Sequence, residues 1–543
     1  MIALLCEELE RLGEGIDLGE LAGWLSDRFP EAEVRTAAGP CGAPEDLLDP
    51  AHKGLDPAHK GAGGIVLGLC GWDGERQELH ARARKLGIDP TRIEVVNLGG
   101  YCARLHPRPA ATAKAKLLLE AALKKLKKAA PGRQANAKPF VPWEHKLSRR
   151  SLFTLPPVRY EVVPSIRREA CASEEGCREC AKVCPHDALR AGEDGRMALA
   201  KQPCTGCGAC VTACPLGAFD FPGSSPAQIE AQSAALLNGA STLPRPRGIL
   251  FLCHKGISVL NGLAREGRSI PEGWLPLEVP CVGMVTPGWI LGCLSRGAAS
   301  VAVLPCRRED CRFGQEAEFA GRVDYCRDLI GGLGGASDTV KLLDPEDPEG
   351  VSRALADLPS AVEEAEAAGT AGAASAADGA DAADGSGFGP EETAKTILAL
   401  ARKFGASPEG FLAHPASPLG VIEIGEGCTA CNACAAACPT AAIVMDEDEE
   451  GVSLSFDARV CVGCGGCAPV CPEKVMRVER GVALDRLRRG RETLHRVASP
   501  RCEKCGGPIA PQAMLDKIGK ILGEDNPAMN ILTKRCAVCR QMY

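Results

Sequence analysis

The first part of the chain alternates short apolar runs with longer amphipathic segments. The apolar runs have the length and continuity of buried strands, and the amphipathic segments have apolar residues at helical spacing. The predicted strands are Ile2–Cys6, Gly64–Cys70 and Ile93–Leu98, and the predicted helices are Leu18–Arg28, Glu75–Leu86 and Ala113–Ala129. This alternation predicts a small α/β domain with a parallel sheet over residues 1–135.

A second alternation of strands and helices occupies residues 244–347. Its predicted strands are Gly248–Cys253, Leu275–Cys281, Val301–Cys306 and Thr339–Leu343. Three of these strands end in a cysteine, as two strands of the N-terminal domain do. Because ligands gather beyond the carboxyl ends of the strands in an open parallel sheet, we expect a second small α/β domain with thiols along one edge.

The remaining segments have different patterns. Residues 136–161 are predicted to be a connector, and residues 359–392 a disordered linker, because the Ala-, Gly- and Asp-rich linker has too little apolar surface to bury. Two cysteine-rich segments cover residues 162–225 and 421–482. The chain closes with a further cysteine-containing segment over residues 498–543.

Composition narrows the class of function. The chain has 543 residues and a formal net charge of −7, which does not favour a nucleic-acid partner. No apolar run approaches the length of a membrane span, and the N-terminus lacks the basic region of a signal peptide. We therefore expect a cytoplasmic protein whose 30 cysteines serve metal or redox chemistry instead of disulfides.

The two cysteine-rich segments contain four cysteine runs, and three of them follow the complete spacing Cys-x2-Cys-x2-Cys-x3-Cys-Pro. In the first run, five residues separate Cys171 from Cys177. Three thiolates of such a run wrap one [4Fe–4S] cluster, and the cysteine before Pro ligates the neighbouring cluster. The four sets are the first (Cys171, Cys177, Cys180, Cys214), second (Cys204, Cys207, Cys210, Cys184), third (Cys428, Cys431, Cys434, Cys471) and fourth (Cys461, Cys464, Cys467, Cys438) ferredoxin sets. Disulfides or chance spacing are poor alternatives, so each segment is predicted to be a ferredoxin-like module with two [4Fe–4S] clusters.

Ten further cysteines lie in the two α/β domains. The N-terminal set is Cys6, Cys41, Cys70 and Cys102, the central set is Cys253, Cys281, Cys306 and Cys311, and Cys293 and Cys326 are left over. Four thiols at one sheet edge could hold one more cluster in each domain. The alternative for the N-terminal set is four buried structural cysteines, and we interpret the two leftover residues as small buried apolar side chains.

The last four cysteines form the terminal set. It consists of Cys502, Cys505, Cys536 and Cys539, arranged as two Cys-x2-Cys pairs without a following Pro. Four thiolates in two pairs suit a closed tetrahedral site for structural Zn²⁺, and another iron–sulfur cluster is the main rival. We therefore predict a zinc knuckle at the C-terminus.

One predicted helix is rich in lysine, and the chain lacks common catalytic motifs. The lysines lie opposite the leucines of helix Ala113–Ala129 and predict a solvated face, with a docking patch for an acidic partner as the alternative. They are Lys114, Lys116, Lys124, Lys125, Lys127 and Lys128. No dinucleotide-binding glycine motif, P-loop or nucleophile–base motif is evident, so no catalytic residue is predicted.

Residues 1–130 resemble the N-terminal domain of heterodisulfide reductase A. The resemblance is carried by Val66–Cys70, by Val96–Leu98 with Cys102, and by Ala113–Leu117. In that family the domain binds a [4Fe–4S] cluster, and the cysteines of the N-terminal set fall where the family's cysteines would. The resemblance therefore implies a fifth [4Fe–4S] cluster here. The family's large flavin domain has no counterpart in the chain, so we expect no flavin.

Residues 248–345 resemble the delta subunit of methyl-viologen-reducing hydrogenase. The matching stretches are Pro280–Gly283, Trp289–Leu291, Leu304–Cys306 and Asp310–Cys311. In that family the domain carries a [2Fe–2S] cluster and passes electrons between a hydrogenase or formate dehydrogenase and a flavoprotein. The resemblance therefore implies a [2Fe–2S] cluster in the central set and partner subunits of these kinds.

Together the patterns predict a multidomain α/β plus α+β protein. It would contain two small α/β domains with parallel sheets, two ferredoxin-like modules and a four-cysteine knuckle. We expect an electron-transfer subunit of an oxidoreductase complex, without a membrane span or a nucleic-acid partner. One alternative is an oxidoreductase that binds flavin itself, which measured flavin would favour. Another is a redox-sensing interaction protein, which exposed and oxygen-labile clusters would favour.

Overall fold

A computed structural model gives the fold of most of the chain. It describes residues 1–37, 63–71, 79, 83, 88–129, 137–140, 159–174, 176–253, 256–268, 270–311, 316–358, 389–407, 409–448, 450–523 and 526–541. Cys41, most of the predicted helix Glu75–Leu86 and most of the predicted linker lie outside these residues. The first of two compact units comprises Met1–Ala170, Cys180–Gly192 and Met197–Phe388, and the second comprises Cys171–Glu179, Glu193–Arg196 and Gly389–Tyr543.

Strands and helices alternate through both units. The strands are β1 (Ile2–Cys6), β2 (Glu33–Ala37), β3 (Ile65–Leu69), β4 (Ile93–Asn97), β5 (Ala137–Phe140), β6 (Arg159–Val162), β7 (Ser165–Ile166), β8 (Leu189–Ala191), β9 (Met197–Leu199), β10 (Phe219–Asp220), β11 (Gly248–Cys253), β12 (Trp274–Val279), β13 (Val301–Leu304), β14 (Val340–Leu342), β15 (Phe411–Ala413), β16 (Gly420–Ile424), β17 (Ile443–Glu447), β18 (Gly451–Asp457), β19 (Met476–Ala483) and β20 (Arg491–Ala498). The helices are α1 (Leu18–Arg28), α2 (Arg108–Lys127), α3 (Glu179–Lys182), α4 (Ala209–Ala213), α5 (Pro226–Asn238), α6 (Ile257–Arg265), α7 (Pro287–Ser295), α8 (Glu316–Gly332), α9 (Pro348–Ala356), α10 (Pro390–Lys403), α11 (Ala433–Ala436), α12 (Leu484–Arg489), α13 (Gln512–Leu522), α14 (Pro527–Lys534) and α15 (Ala537–Arg540).

The N-terminal sheet is parallel and has the strand order β2-β1-β3-β4. All residues of β1, β3 and β4 are buried, as expected for strands covered on both faces of a parallel sheet. Helix α1 begins where the Asp17 side chain accepts a 2.8 Å hydrogen bond from the Glu20 N–H. The prediction of an α/β domain with a parallel sheet is confirmed.

Helix α2 is largely buried in the first unit, and the predicted solvated face is wrong for three of its lysines. Lys114, Lys116 and Lys125 are 1%, 7% and 2% exposed. Helix α5 packs along α2, and Glu20 of α1 lies 2.6 Å from Lys116 Nζ, so elements distant in sequence contribute to the burial. A buried partner compensates the charge of Lys125, because its Nζ lies 2.9 Å from Glu94 Oε1.

The second α/β domain repeats the topology of the first. Its sheet is parallel and has the order β12-β11-β13-β14, so the four strands follow the same order as those of the N-terminal sheet. Two buried tryptophans anchor the domain, and Trp274 Nε1 donates a 2.9 Å hydrogen bond to the Leu355 carbonyl. Between the α/β domains lie the antiparallel pairs β5–β6, β7–β10 and β8–β9. The predicted connector thus contributes a short two-stranded ladder.

The second unit contains two antiparallel three-stranded sheets. Their orders are β15-β19-β16 and β17-β18-β20. Strand β20 lies beyond residue 482, so the antiparallel structure continues past the predicted ferredoxin boundary, and α10 begins inside the predicted linker. Helices α13 to α15 complete the chain. Among the described residues, every helix is too short or too polar to cross a membrane.

Candidate metal centres

The second ferredoxin set lines an apolar pocket in the first unit. Its four cysteines share the pocket with Pro164, Leu189 and Leu199. Two cysteines lie in the loop before α4, one lies within α4 and one follows α3. Gly206 and Gly208 in this loop have φ angles of 73° and 76°, and a Cβ at Gly206 would lie 2.7 Å from a neighbouring carbonyl oxygen. Glycine therefore lets the loop wrap its thiols around a common centre.

Left-handed backbone positions recur in the cysteine runs. Within the three complete runs they are Gly206 and Gly208, Ala430 and Asn432, and Gly463 and Gly465. Three residues after each Cys of a Cys-Pro pair they are Asp187, Gly217, Ala441 and Lys474, with φ between 48° and 58°. A left-handed conformation costs a non-glycine residue about 1–2 kcal/mol, so the surrounding turn must impose it. The four Cys-Pro turns therefore share one backbone geometry.

The thiols of the second set are close together and poorly hydrated. Burial raises the pKa of Cys210 well above its usual value, and repulsion from the Cys207 and Cys204 thiolates raises it further. Such repulsion disappears when thiolates bind a cationic metal centre, so the donor set fits an iron–sulfur cluster. Cys184 Sγ also accepts a 3.3 Å hydrogen bond from the Ala188 N–H, a type of contact that tunes cluster potentials.

The second unit brings the third and fourth ferredoxin sets together across their runs. Burial raises the pKa of Cys428, and the thiolate of Cys471, which belongs to the other run, acts in the same direction. Burial likewise raises the pKa of Cys461 to about 12, and repulsion from Cys438 adds to the shift. The structure thus places each Cys-Pro cysteine beside the neighbouring run, as ferredoxin ligation requires.

The first ferredoxin set divides between the two units. Cys171 and Cys177 belong to the second unit, and Cys180 and Cys214 belong to the first. Cys214 Sγ accepts a 3.1 Å hydrogen bond from the Ala218 N–H, which matches the contact at Cys184. The composition of this set stays a prediction.

The central set lies at the carboxyl edge of the second α/β sheet. Cys253 ends β11, and Cys306 follows β13, so the two flank the point at which the strand order reverses. Hydrogen bonding with the Cys253 sulfur, burial and the nearby Cys311 raise the pKa of Cys306 beyond its usual range. Burial raises the pKa of Cys281 to about 12, with Cys253 and Cys311 among the contributing neighbours. The structure therefore brings all four cysteines together.

The N-terminal set occupies corresponding places in the first sheet. Cys6 ends β1, Cys70 follows β3, and both flank the same reversal of strand order. Cys102 lies in the short helical turn Gly99–Ala103 after β4. Cys6 and Cys102 are thiols, whereas Cys70 is disulfide-bonded and Cys41 lies outside the described residues. Ligation of a cluster by this set stays a prediction and requires Cys70 in its reduced form.

Sequence reasoning missed two buried basic residues beside Cys102. Lys114 Nζ lies 3.0 Å from His106 Nε2, and both side chains are buried. Burial lowers the pKa of Lys114 to about 8 and that of His106 to about 3. Burial raises the pKa of Cys102 to about 12, while the Lys114 charge opposes this rise. The sequence carried no local signal for this cluster, because several elements distant in sequence bury α2.

The sulfurs of the terminal set lie close enough together to hold one metal ion. All four sulfurs lie within 4.8 Å of one another, and Cys505 Sγ is 3.6 Å from Cys536 Sγ. Tetrahedral Zn²⁺ with Zn–S bonds of about 2.3 Å places its sulfurs about 3.8 Å apart, so a single ion fits. A hydrogen bond from the Cys536 N–H lowers the pKa of Cys502 to about 6, which favours the thiolate that a metal needs.

Two family models match parts of the chain. The model for the methyl-viologen-reducing hydrogenase delta subunit matches residues 249–364, which include the central set. The model for the 4Fe-4S dicluster domain matches residues 169–218 and 427–475, which include all four ferredoxin sets. The predicted ferredoxin modules and delta-subunit-like domain are thereby confirmed. The resemblance of the N-terminal domain to heterodisulfide reductase stays a prediction.

Curated relatives match shorter stretches. The formate dehydrogenase iron–sulfur subunit of Wolinella succinogenes is 49% identical over 45 residues, which are 8% of this chain and 22% of that protein. One component of the Na(+)-translocating ferredoxin:NAD(+) oxidoreductase complex of Acetobacterium woodii is 43% identical over 53 residues, which are 8% of this chain and 16% of that protein. The chain thus spans less than a quarter of the length of either relative. The similarity supports an iron–sulfur electron-transfer role for the matched segments.

Proposed function

We propose that this protein is the electron-relay subunit of a larger oxidoreductase complex. It carries electrons between a low-potential enzyme of the hydrogenase or formate dehydrogenase type and a flavoprotein partner. The observation that carries this proposal is the close assembly of the second, third, fourth and central cysteine sets. Iron–sulfur clusters bound there would each exchange one electron, and the protein would tune their potentials by burial and hydrogen bonds.

The assignment of partners rests on the kinds of protein to which the chain is similar. The delta-subunit match favours a hydrogenase-type donor, and one relative is part of a formate dehydrogenase. The other relative belongs to a complex that acts on ferredoxin and NAD(+). We infer that the substrate chemistry resides in partner subunits and that the complex works in the cytoplasm.

Cluster types follow from the ligand sets. The four ferredoxin sets hold [4Fe–4S] clusters. The central set holds a [2Fe–2S] cluster, and the N-terminal set, on its likeness to heterodisulfide reductase, holds a further [4Fe–4S] cluster. The four thiols of the central set agree with this chemistry, since thiolates are the usual ligands of iron–sulfur clusters.

Iron analysis tests the proposal directly. Protein prepared without oxygen should contain at least about sixteen iron atoms per chain, because four clusters of four iron atoms are required. Reductive titration followed by electron paramagnetic resonance should show several one-electron centres. Iron near eight atoms per chain would contradict the presence of two loaded ferredoxin modules.

The terminal set holds structural Zn²⁺ in this proposal. Changing Cys502 and Cys505 to Ser should remove about one zinc ion per chain and leave the iron content and the cluster spectra nearly unchanged, because a closed four-thiolate zinc site has no redox role. Metal analysis and spectra of the double variant provide the test. Loss of about four iron atoms and one paramagnetic centre would identify the site as a further cluster.

A further inference from the structure

The loop of the second ferredoxin set contacts the loop of the central set within the first unit. Gly208 follows Cys207 and precedes α4, and Met284 lies three residues after Cys281. A Cβ at Gly208 would overlap Cγ of Met284 and would lie 2.8 Å from its Sδ. The two cysteine loops are therefore packed directly against each other through the glycine backbone.

The boundary between the two loops is buried. Cys207 and Cys281 are 9% and 8% exposed, and Met284 is fully buried. The boundary between the sets is therefore nearly dry.

Hydrogen bonds hold the central loop at this boundary. Cys281 Sγ accepts a 3.3 Å hydrogen bond from the Gly283 N–H. Arg322 of α8 donates a 3.0 Å hydrogen bond to the Gly283 carbonyl and a longer one to Val285. A dry and rigid boundary suits electron transfer, because little solvent or protein has to rearrange when a charge moves.

We propose that the second ferredoxin set and the central set form a directly coupled redox pair, joined at the edge where Gly208 packs against Met284. This inference rests on the proposed function. One electron leaves the reduced centre of one set and enters the oxidised centre of the other, and no bond or proton changes place. The central set is then the point at which the delta-subunit-like domain exchanges electrons with the first ferredoxin module.

Magnetic coupling between the two reduced centres tests this pair in the full-length chain. When both centres are reduced with dithionite, the resonance of the central set should be split or should relax faster than when it alone is reduced. Two well-formed signals that do not interact would overturn the pair and leave the electron-relay proposal standing. Absence of both signals, with little bound iron, would overturn both proposals.

A steric variant locates the coupling at the proposed edge. Gly208→Ala should abolish or weaken the interaction, because its Cβ forces Met284 away. Gly195→Ala is the matched control, since Gly195 has a φ of 74° and no atom within 4 Å of its Cβ position. Met284→Ala removes the same packing without a clash and should weaken the coupling as well. Coupling that is unchanged in both edge variants would contradict the inference.

Discussion

A buried charge is expensive mainly when it loses its partner, and helix α2 depends on such partners. Lys125 and Glu94 are 2% and 7% exposed in their side chains and form an ion pair of 2.9 Å. Replacing both members of a buried pair by apolar residues is often neutral, whereas removing one member leaves an uncompensated charge. The pair therefore constrains the sequence of α2 more strongly than its net energy suggests.

Single and double substitutions at this pair should have very different effects on the free energy of unfolding. Lys125→Met should lower the free energy of unfolding by about 3–5 kcal/mol, because Glu94 stays buried without its partner. Lys125→Met combined with Glu94→Leu should recover most of this loss. Denaturant titration followed by circular dichroism measures the free energy of unfolding of the single and the double variant. Arg489→Met, at a half-exposed pair with Asp485, serves as a control and should cost less than about 1 kcal/mol.

Equal losses in the single and double variants would contradict this account.

The grouping of the cysteines into runs was predictable from the sequence because their spacing is a local property of each run. The burial of Lys114 and Lys125 was not, because it depends on other elements, such as β4, which supplies Glu94 as the partner of Lys125. Local periodicity shows which face of a helix is apolar, but it does not show whether another element covers the polar face.

The two cysteine runs of the second unit should act as an interlocked pair of ligand sets. Cys471→Ala should abolish the same paramagnetic centre as Cys428→Ala, although Cys471 lies in the run that begins with Cys461. The reason is the proximity of Cys471 to Cys428. Iron content should fall by about four atoms in each variant, as loss of one cubane requires.

Cys461→Ala is the comparison that identifies the second centre. It should remove a different signal from that lost in Cys471→Ala. If Cys471→Ala and Cys461→Ala instead removed one and the same signal, each run would ligate its own cluster, and the crossed arrangement would be wrong.

The parallel strands were predictable, and the shared topology explains the placement of the cysteines. Both sheets reverse their strand order between the first and third strands, and Cys6 with Cys70 and Cys253 with Cys306 flank this reversal. Strand β5 was not predicted, since a four-residue strand that contains Pro139 has too weak a pattern to be recognised.

The chain as a whole should carry electrons without carrying flavin. Purified protein that is denatured with acid should release far less than one flavin per chain, because the sequence has no dinucleotide-binding motif. The same preparation should pass electrons from dithionite to a viologen dye without turning over a substrate. One flavin per chain would show that the protein is a flavoprotein in its own right.

The division into two units was not predictable from domain patterns. The sequence predicts one continuous ferredoxin module over residues 162–225, whereas Cys171–Glu179 and Glu193–Arg196 belong to the second unit. The assignment of these two segments to the second unit depends on contacts between distant parts of the chain. Within the second unit, for example, Arg480 lies 4.0 Å from Glu179. No spacing rule within the module reveals this contact.

This interleaving has a consequence for biosynthesis. The segment Cys171–Glu179 packs with Gly389–Tyr543, which the ribosome makes later. At about 5–20 residues per second, the segment waits on the order of 20–70 s for its complete set of neighbours. Cysteines of the second and central sets emerge much earlier with their own surroundings. Cluster assembly factors therefore meet a nascent chain whose middle can be loaded while Cys171 and Cys177 still await their final environment.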